Sequence, residues 1–219
     1  MRLTVINGSP RGQKSNTSIL LGHFQNGFLE TGENSVETIY LIKERPGFEQ
    51  SLRAFMEAER ILLAFPLYVD AMPGSVKDYI EALAPFRGKR PDLTLMYLVQ
   101  NGFPETYHNR PVARYLEKLT RRLGCTYGGS ILKGGCEGLD VQPSFLVDKV
   151  FRLFHEVGKD FGATGILNEN LLARLARPEH LTPEQIGQVI PMVNSFLWDS
   201  LMEKNGVKDR SFDRPYLKS

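Results

Sequence analysis

Hydrophobic runs alternate with helical patterns from the first residue to about Gly162. Five short apolar runs predict strands at residues 3–6, 36–42, 61–65, 93–99 and 127–132. Between them, apolar residues recur at three- and four-residue spacing, as Ile19, Leu20, Phe24 and Phe28 do, which is typical of one face of a helix. This alternation predicts an α/β domain of five βα units, with a parallel sheet covered by helices.

The pattern changes beyond Gly165. Residues 182–185 read Thr-Pro-Glu-Gln, which favours a helix start with Thr as N-cap, Pro at the first helical position and Gln completing a capping box. An apolar stripe follows from Ile186 to Leu201, predicting a helix that Pro191 should kink and that Asn205-Gly206 should end. The last stretch, 207–219, is predicted to be an extended tail.

Length and composition are those of an ordinary globular protein. The chain has 219 residues, 42% of them hydrophobic and 24% charged, and a formal net charge of +2. These values exclude a disordered or collagenous chain and argue against a strongly nucleic-acid-binding one. The length favours one domain with an extension, and we expect an α/β domain at residues 1–163 and a C-terminal helical extension at residues 164–219.

No targeting or metal-binding pattern is present in the sequence. The longest apolar run, 61–69, is far shorter than the roughly 20 residues of a membrane helix, so we expect no membrane association. Without a recognisable signal peptide, the expected location is cytoplasmic. Cys125 and Cys136 are too few and too widely spaced for a zinc or iron–sulfur site, and no acid–base pair or nucleophile stands out. The sequence therefore predicts no metal and assigns no catalytic residue.

The loops after the first, third and fourth predicted strands are the most unusual in the chain. Ligands of open parallel sheets bind at the carboxyl ends of the strands, where these loops lie. The first loop, 8–17, combines two glycines, one arginine and several hydroxyl and amide side chains where a helix begins. Free backbone N–H groups and the positive end of a helix favour a phosphate at such a place, although Ser15 or Asn16 would also serve as a simple helix cap.

The first loop also comes close to a nucleotide-triphosphate motif. Gly8, Lys14 and Ser15 have the spacing of G-x-x-x-x-G-K-S, but Gln13 occupies the second glycine position and Pro10 has no N–H group for the phosphate. A phosphate-loop nucleotide-binding protein therefore remains a remote alternative.

The three loops together carry a more specific pattern. They contain Gly8-Ser9-Pro10-Arg11 with Ser15-Asn16-Thr17, then Pro66-Leu67-Tyr68, Met72-Pro73-Gly74 and Lys77, and finally Asn101-Gly102. Over residues 1–163 the chain thereby resembles the NADPH-dependent FMN reductase and multimeric flavodoxin family. The resemblance implies a flavodoxin-like three-layer sandwich, with a five-stranded parallel sheet in the order 2-1-3-4-5 and helices on both faces.

The resemblance also implies an FMN site. The residues that would hold the FMN phosphate are Ser9, Arg11, Ser15, Asn16 and Thr17. Those that would line the flavin ring are Pro66, Leu67, Tyr68 and Val69, and those that would close its other side are Asn101, Gly102 and Phe103. A flat, mostly apolar slot with a few backbone donors suits such a ring, although a partly buried packing role for Tyr68 stays open.

The activity implied by the resemblance is hydride transfer from NADPH or NADH through FMN to a small acceptor such as a quinone, a flavin or a nitro compound. Tyr107 and His108 follow the third loop and are candidates for contacting that acceptor, because some quinone reductases of related fold have a Tyr and a His there. A solvent-exposed pair at the start of a helix is the alternative interpretation.

An FMN-binding electron carrier without NAD(P)H activity is the second functional hypothesis. The slightly basic charge of this chain speaks against it, because flavodoxins that dock on basic partners are typically strongly acidic. Proteins of the family are usually dimers or tetramers, so the resemblance implies a homodimer or homotetramer. We expect the tail with Phe212 and Tyr216 to approach a flavin site, while packing of the C-terminal helix on its own sheet stays open.

Overall fold

A five-stranded parallel sheet forms the centre of the structure, a computed structural model that describes residues 1–217 except for the side chains of Phe196 and Leu197. Its strands are β1 (Arg2–Asn7), β2 (Ser35–Tyr40), β3 (Arg60–Pro66), β4 (Thr94–Gln100) and β5 (Thr126–Lys133). They lie in the order β2-β1-β3-β4-β5, and every neighbouring pair is parallel. This confirms the predicted fold class and strand order.

The helices cover both faces of the sheet. The helices up to residue 180 are α1 (Asn16–Leu29), α2 (Leu41–Glu44), α3 (Glu49–Glu57), α4 (Gly74–Ala82), α5 (Arg110–Leu123), α6 (Ser144–Thr164) and α7 (Glu169–Leu175). Alternate strand residues point to opposite faces. Leu62 and Ala64 of β3 therefore pack with α1 and α6, whereas Leu63 and Phe65 pack on the face that carries α3, α4 and α5.

The second strand is shorter than predicted. Residues 41 and 42 were expected to belong to it, but β2 ends at Tyr40 and the helical turn α2 begins at Leu41. That prediction was wrong because an apolar pair fits either structure: the turn buries Leu41 completely and leaves Ile42 40% exposed.

The two glycines inside the fifth strand form a bulge. Leu95 pairs with Tyr127 and Tyr97 with Ser130, so that two residues of β5, Gly128 and Gly129, lie opposite one residue of β4. Gly129 has a φ of +105°, and a Cβ on Gly128 would lie 2.6 Å from the Met96 side chain. The glycines therefore permit the irregular pairing that this strand adopts.

Helices α1 and α6 are in direct backbone contact. A Cβ on Gly158 would lie 1.9 Å from the Phe24 carbonyl oxygen, and one on Gly27 would lie 2.0 Å from the His155 carbonyl oxygen. Around this contact Phe24, Phe28 and Phe161 form an aromatic cluster with ring centroids 5.8–6.5 Å apart. Close approach of the two backbones is possible only because both positions lack a side chain.

The chain divides into two compact units, Met1–His180 and Leu181–Ser219. The first unit extends beyond the boundary expected at residue 163, because α7 packs against α6 and β5 and buries Leu175. No pattern in the sequence had indicated α7.

The second unit contains α8 (Pro183–Val193), a π-helical stretch (Asn194–Asp199) and α9 (Ser200–Lys204). The predicted capping box is present, with the Gln185 N–H donating to Thr182 Oγ1 at 3.2 Å and the Thr182 N–H donating to Gln185 Oε1 at 2.9 Å. The helix continues through Pro191, and its hydrogen bonding changes to the π type only at Asn194. It ends at Asn205-Gly206, as predicted.

The tail that follows is exposed. Residues 207–217 include a short 3₁₀ turn at Lys208–Arg210. The end of the predicted tail, 218–219, lies outside the described residues.

Among the described helices, none is both long enough and apolar enough to cross a bilayer.

We predict that Gly158→Ala destabilises the protein although alanine is the better helix former. Its methyl group would collide with the Phe24 carbonyl, and overpacking of this kind costs about 1–3 kcal/mol, more than the roughly 1 kcal/mol of helix propensity that it adds. The measurement is urea unfolding followed by circular dichroism. Gly22→Ala is the matched control, because it lies on α1 with no atom within 4 Å of its Cβ position and should leave stability equal or slightly higher. Equal stability of both variants would contradict the proposed backbone contact.

Candidate functional site

A cleft of about 220 Å³ lies at the carboxyl ends of β1, β3, β4 and β5. Its lining residues are Ser9, Arg11, Ser15, Asn16, Pro66, Leu67, Tyr68, Gln100, Asn101, Gly102 and Glu137. The three loops selected from the sequence therefore meet at one place, as expected for an open parallel sheet. Of the twelve residues predicted to bind a cofactor, nine line the cleft, and the side chains of Thr17, Val69 and Phe103 do not.

Hydrogen bonds between successive loops continue the pairing of the sheet past the strand ends. The Gly8 N–H donates to the Ala64 carbonyl at 2.7 Å, and the Leu67 N–H donates to the Gln100 carbonyl at 2.7 Å. The Asn101 N–H in turn donates to the Lys133 carbonyl at 3.1 Å. Each loop is thus held by the neighbouring strand, which fixes the walls of the cleft relative to one another.

The loop after β1 ends in a well-formed helix cap. Ser15 Oγ donates to the Gly12 carbonyl at 2.6 Å and accepts from the Ser18 N–H at 3.1 Å, so it is the N-cap of α1. Thr17, predicted as a phosphate ligand, is fully buried, and its Oγ1 accepts from Gln100 Nε2 at 3.3 Å. Its side chain therefore supports the cleft from beneath.

Several donors of this loop are unused in the described part of the chain. The backbone N–H groups of Asn16 and Thr17, in the first turn of α1, have no intrahelical partner, and no other described group accepts from them. The Arg11 guanidinium likewise makes no ion pair or hydrogen bond there. A helix N-terminus, free N–H groups and an unpaired cation are the features that bind an anion.

The loop after β3 turns tightly at the edge of the cleft. Tyr68 and Ala71 pair through two hydrogen bonds of 2.8 and 3.0 Å, and the two residues between them, Val69 and Asp70, have φ values of +48° and +59°. Positive φ at both central residues defines a turn in which Asn and Gly are the usual residues, so a β-branched valine there is strained. Val69 is 95% exposed and does not line the cleft, while Pro66, Leu67 and Tyr68 form its wall.

The loop after β4 presents polar groups to the cleft. Asn101 is buried, and its Oδ1 atom has no hydrogen-bond partner among the described residues. The backbone N–H groups of Gly102 and Phe103 also have no acceptor in that part of the chain. Buried polar atoms are normally hydrogen-bonded, so the Asn101 oxygen is an acceptor that a ligand or a water in the cleft can use.

Four aromatic rings form a stack beside the cleft. The centroids of Phe103 and His108 are 4.6 Å apart, those of His108 and Tyr107 are 4.0 Å apart, and those of Tyr107 and His180 are 4.5 Å apart. Phe103 is 55% exposed and Tyr107 is 37% exposed, so part of the stack faces solvent. The predicted acceptor residues Tyr107 and His108 thus lie together with the ring of Phe103.

Carboxylates flank the histidine of this stack on both sides. His108 Nδ1 lies 3.6 Å from Asp70 Oδ1, and its Nε2 lies 3.9 Å from Glu105 Oε2. The Asp70 contact connects the strained turn after β3 with the loop after β4.

The 177–180 segment supports the aromatic stack from behind. The Thr106 and Tyr107 N–H groups donate to the Pro178 and Glu179 carbonyls at 3.0 and 3.3 Å. Arg110 pairs with Glu179 through two contacts of 2.7 and 2.8 Å. These bonds hold the loop after β4 against the end of α7.

Lys133, at the end of β5, anchors the same segment. Its buried Nζ atom donates to the Arg177 carbonyl at 3.0 Å, and burial lowers the pKa of this amine below its ordinary value. Nearby, burial raises the pKa of the Cys136 thiol to about 12, so Cys136 is a protonated packing residue. Cys125 is also a free thiol, and no described group of His, Cys, Asp and Glu side chains is arranged to hold a metal ion.

Two lining residues were not anticipated from the sequence. Gln100 is the last residue of β4, and its amide reaches across to Thr17 on α1. Glu137 lies in the loop after β5, for which no motif was identified. Gln100 ends β4 and Glu137 follows β5, so both are near carboxyl strand ends, where ligands of parallel sheets bind. The side-chain directions that bring them to the cleft depend on the fold.

Comparison with known proteins identifies the family. Residues 1–144 match the family described as having the flavodoxin-like fold, so the chain belongs to that family. No curated protein is significantly similar to this sequence.

Solved structures share the fold at low sequence identity. An azoreductase from Bacillus anthracis str. Sterne is 16% identical, with a TM-score of 0.56, and the match covers 74% of this chain and 100% of that chain. For an NADH:FMN oxidoreductase in its apo form, the identity is 15%, the TM-score is 0.57 and the coverage is 84% and 97%. The Trp repressor binding protein from Bacillus subtilis is 21% identical over 61% and 84% of the two chains, with a TM-score of 0.50. Likeness at these identities establishes the fold.

Proposed function

We propose that the protein is an FMN-dependent oxidoreductase that transfers hydride from NADH or NADPH to a small acceptor such as a quinone, flavin, nitro or azo compound. The main support is the convergence of the three loops on one cleft whose two ends have different chemistry. The shared fold with proteins named azoreductase and NADH:FMN oxidoreductase adds to it.

The donor set at the β1 end of the cleft suits a phosphate group. Arg11 would supply positive charge, while the free N–H groups of Asn16 and Thr17 would donate hydrogen bonds. Ser9 is buried beneath them, and its Oγ accepts from the Arg11 N–H at 3.3 Å, which fixes the loop.

The other end of the cleft suits a flat ring with a polar edge. Pro66, Leu67 and Tyr68 would contact the ring face, and the Gly102 and Phe103 N–H groups would donate to its carbonyl edge. The unpartnered Asn101 oxygen would accept a hydrogen bond from a hydroxyl group of the bound cofactor. FMN, when bound, supplies the hydride chemistry itself. The chain orients the ring and places N–H donors where negative charge develops.

The aromatic stack gives the acceptor a surface. Tyr107 and His108 lie beside the cleft with Phe103, and stacked rings of this kind favour planar aromatic compounds. We propose that these two residues contact the acceptor by stacking and that the Tyr107 hydroxyl donates a hydrogen bond to it.

The nucleotide-triphosphate alternative has less support. Lys14, the residue of the near-miss motif, does not line the cleft. The FMN-binding electron carrier remains the alternative that the activity assay separates from the reductase.

We further propose that the protein functions as a homodimer or homotetramer. In α8 and α9 no described residue is buried, and the apolar side chains of Ile190 and Met192 in α8 and of Trp198 in the π-helical stretch are each 50–54% exposed. An amphipathic helix gains most of its stability by packing its apolar face, and a second copy would supply the partner surface.

We predict that Arg11→Ala weakens FMN binding at least tenfold, because a charge-assisted hydrogen bond contributes about 1.5–3 kcal/mol. The measurement is a fluorescence titration with FMN, repeated with riboflavin, which has no phosphate and should bind both proteins equally. Lys14→Ala is the matched control and should leave FMN affinity unchanged. Binding of ATP that Lys14→Ala abolishes, with no binding of FMN, would favour the nucleotide alternative.

The FMN-loaded protein is predicted to oxidise NADH or NADPH in the presence of quinone, nitroaromatic or azo acceptors, measured as loss of absorbance at the nicotinamide band. Tyr107→Phe should raise the KM for the acceptor about fivefold, the effect of one hydrogen bond of about 1 kcal/mol, with FMN binding unchanged. Tyr115→Phe, at another partly exposed tyrosine, is the control. FMN binding without oxidation of either nucleotide would instead indicate an electron carrier.

Light scattering should give at least twice the chain mass of 24.8 kDa. Ile190→Asp, which places a charge on the apolar face of α8, should reduce the mass to that of the monomer. Gln188→Asp adds the same charge about 160° away around the helix and should leave the oligomer intact. A monomeric wild-type protein would refute the proposed assembly and leave the redox proposal unaffected.

A further inference from the structure

The cleft carries charges of opposite sign at its two ends. Arg11 follows β1 and Glu137 follows β5, and β3 and β4 lie between these two strands. With strands about 4.8 Å apart, three spacings separate the two loops by about 14 Å. An elongated ligand with an anionic phosphate at the Arg11 end would therefore place its other end near Glu137.

Glu137 lies against Gly102 at the wall of the cleft. A Cβ on Gly102 would lie 3.2 Å from Glu137 Oε2 and 3.5 Å from Glu137 Cβ, so the absent side chain leaves room for the carboxylate. Gly102 is also one of the residues whose N–H would meet the polar edge of the ring. The Glu137 carboxylate and the Gly102 N–H group therefore lie on the same wall of the cleft.

The Glu137 carboxylate has no partner of its own in the described part of the chain. No cation pairs with it there, and no described side-chain or backbone donor bonds to its carboxylate oxygens. A carboxylate only accepts hydrogen bonds. The polar edge of a flavin ring includes one imide N–H donor, between two carbonyl groups, which a carboxylate can engage.

We propose that the Glu137 carboxylate accepts a hydrogen bond from this imide N–H of FMN and favours the oxidised over the reduced state of the bound cofactor. The proposal rests on the proposed function. Hydride transfer from a nicotinamide adds one hydrogen and two electrons to the ring, which then bears one negative charge until a proton follows. A fixed carboxylate nearby repels that charge and has no such effect on the neutral oxidised ring.

The test uses the full-length FMN-loaded protein and two substitutions at Glu137. Glu137→Gln keeps an oxygen acceptor but removes the charge, so the affinity for oxidised FMN should stay within about twofold while the affinity for reduced FMN rises about tenfold. For a two-electron couple, tenfold corresponds to an increase of about 30 mV in midpoint potential. Glu137→Ala should raise the potential similarly and also weaken binding of oxidised FMN, because the acceptor is lost.

The readouts are FMN dissociation constants and the midpoint potential, from spectral titration against redox dyes. Asp140→Asn is the matched control: it removes one carboxylate at an exposed residue of the same loop that does not line the cleft, and it should change neither quantity. If Glu137→Gln and Asp140→Asn have the same midpoint potential, the proposed role of Glu137 is overturned. The proposed function still stands in that case, provided that the protein binds FMN. Wild-type protein that binds no FMN would overturn both.

Discussion

Backbone contact between α1 and α6 is the constraint on which the site depends. Gly27 and Gly158 lie where a methyl group would overlap a carbonyl of the other helix, and Gly162 lies against the Phe28 carbonyl in the same way. Since α1 cannot move outward without opening this contact, its first turn is held at the edge of β1. The N–H groups that we assign to phosphate binding belong to the first turn of α1, so their position depends on the packing of this helix against α6.

The walls of the cleft are fixed by backbone hydrogen bonds between each loop and the neighbouring strand. Hydrogen bonds run from the loop after β1 to β3, from the loop after β3 to β4, and from the loop after β4 to β5. Behind them, Lys133 ties the 177–180 segment to β5, and the Thr106 and Tyr107 N–H groups tie the same segment to the loop with the aromatic stack. A site built in this way needs little reorganisation to receive a rigid ring, which is a condition for stabilising charge on it.

Much of the fold could be predicted because parallel strands buried on both faces are short apolar runs. Helices are recognised by apolar residues that recur at three- and four-residue spacing. Errors arose where two structures satisfy one pattern, as at Leu41 and Ile42, or where a helix as short as α7 has too few turns to show a period. At the site, the loops and most lining residues followed from motif and position. Glu137 did not, because its place at the cleft, beside Gly102, joins residues that are 35 positions apart in the chain.

The two edges of the sheet differ from its centre in a way that affects association. At β5 the Gly128–Gly129 bulge breaks the regular spacing of N–H and C=O groups, and α7 packs against the strand. At β2, exposed Ser35 and Glu37 alternate with partly buried residues. Irregular pairing and charge on edge strands discourage the addition of a foreign strand. These edges therefore disfavour a sheet that is continuous across two copies of the chain, and they disfavour fibrillar growth from the native state.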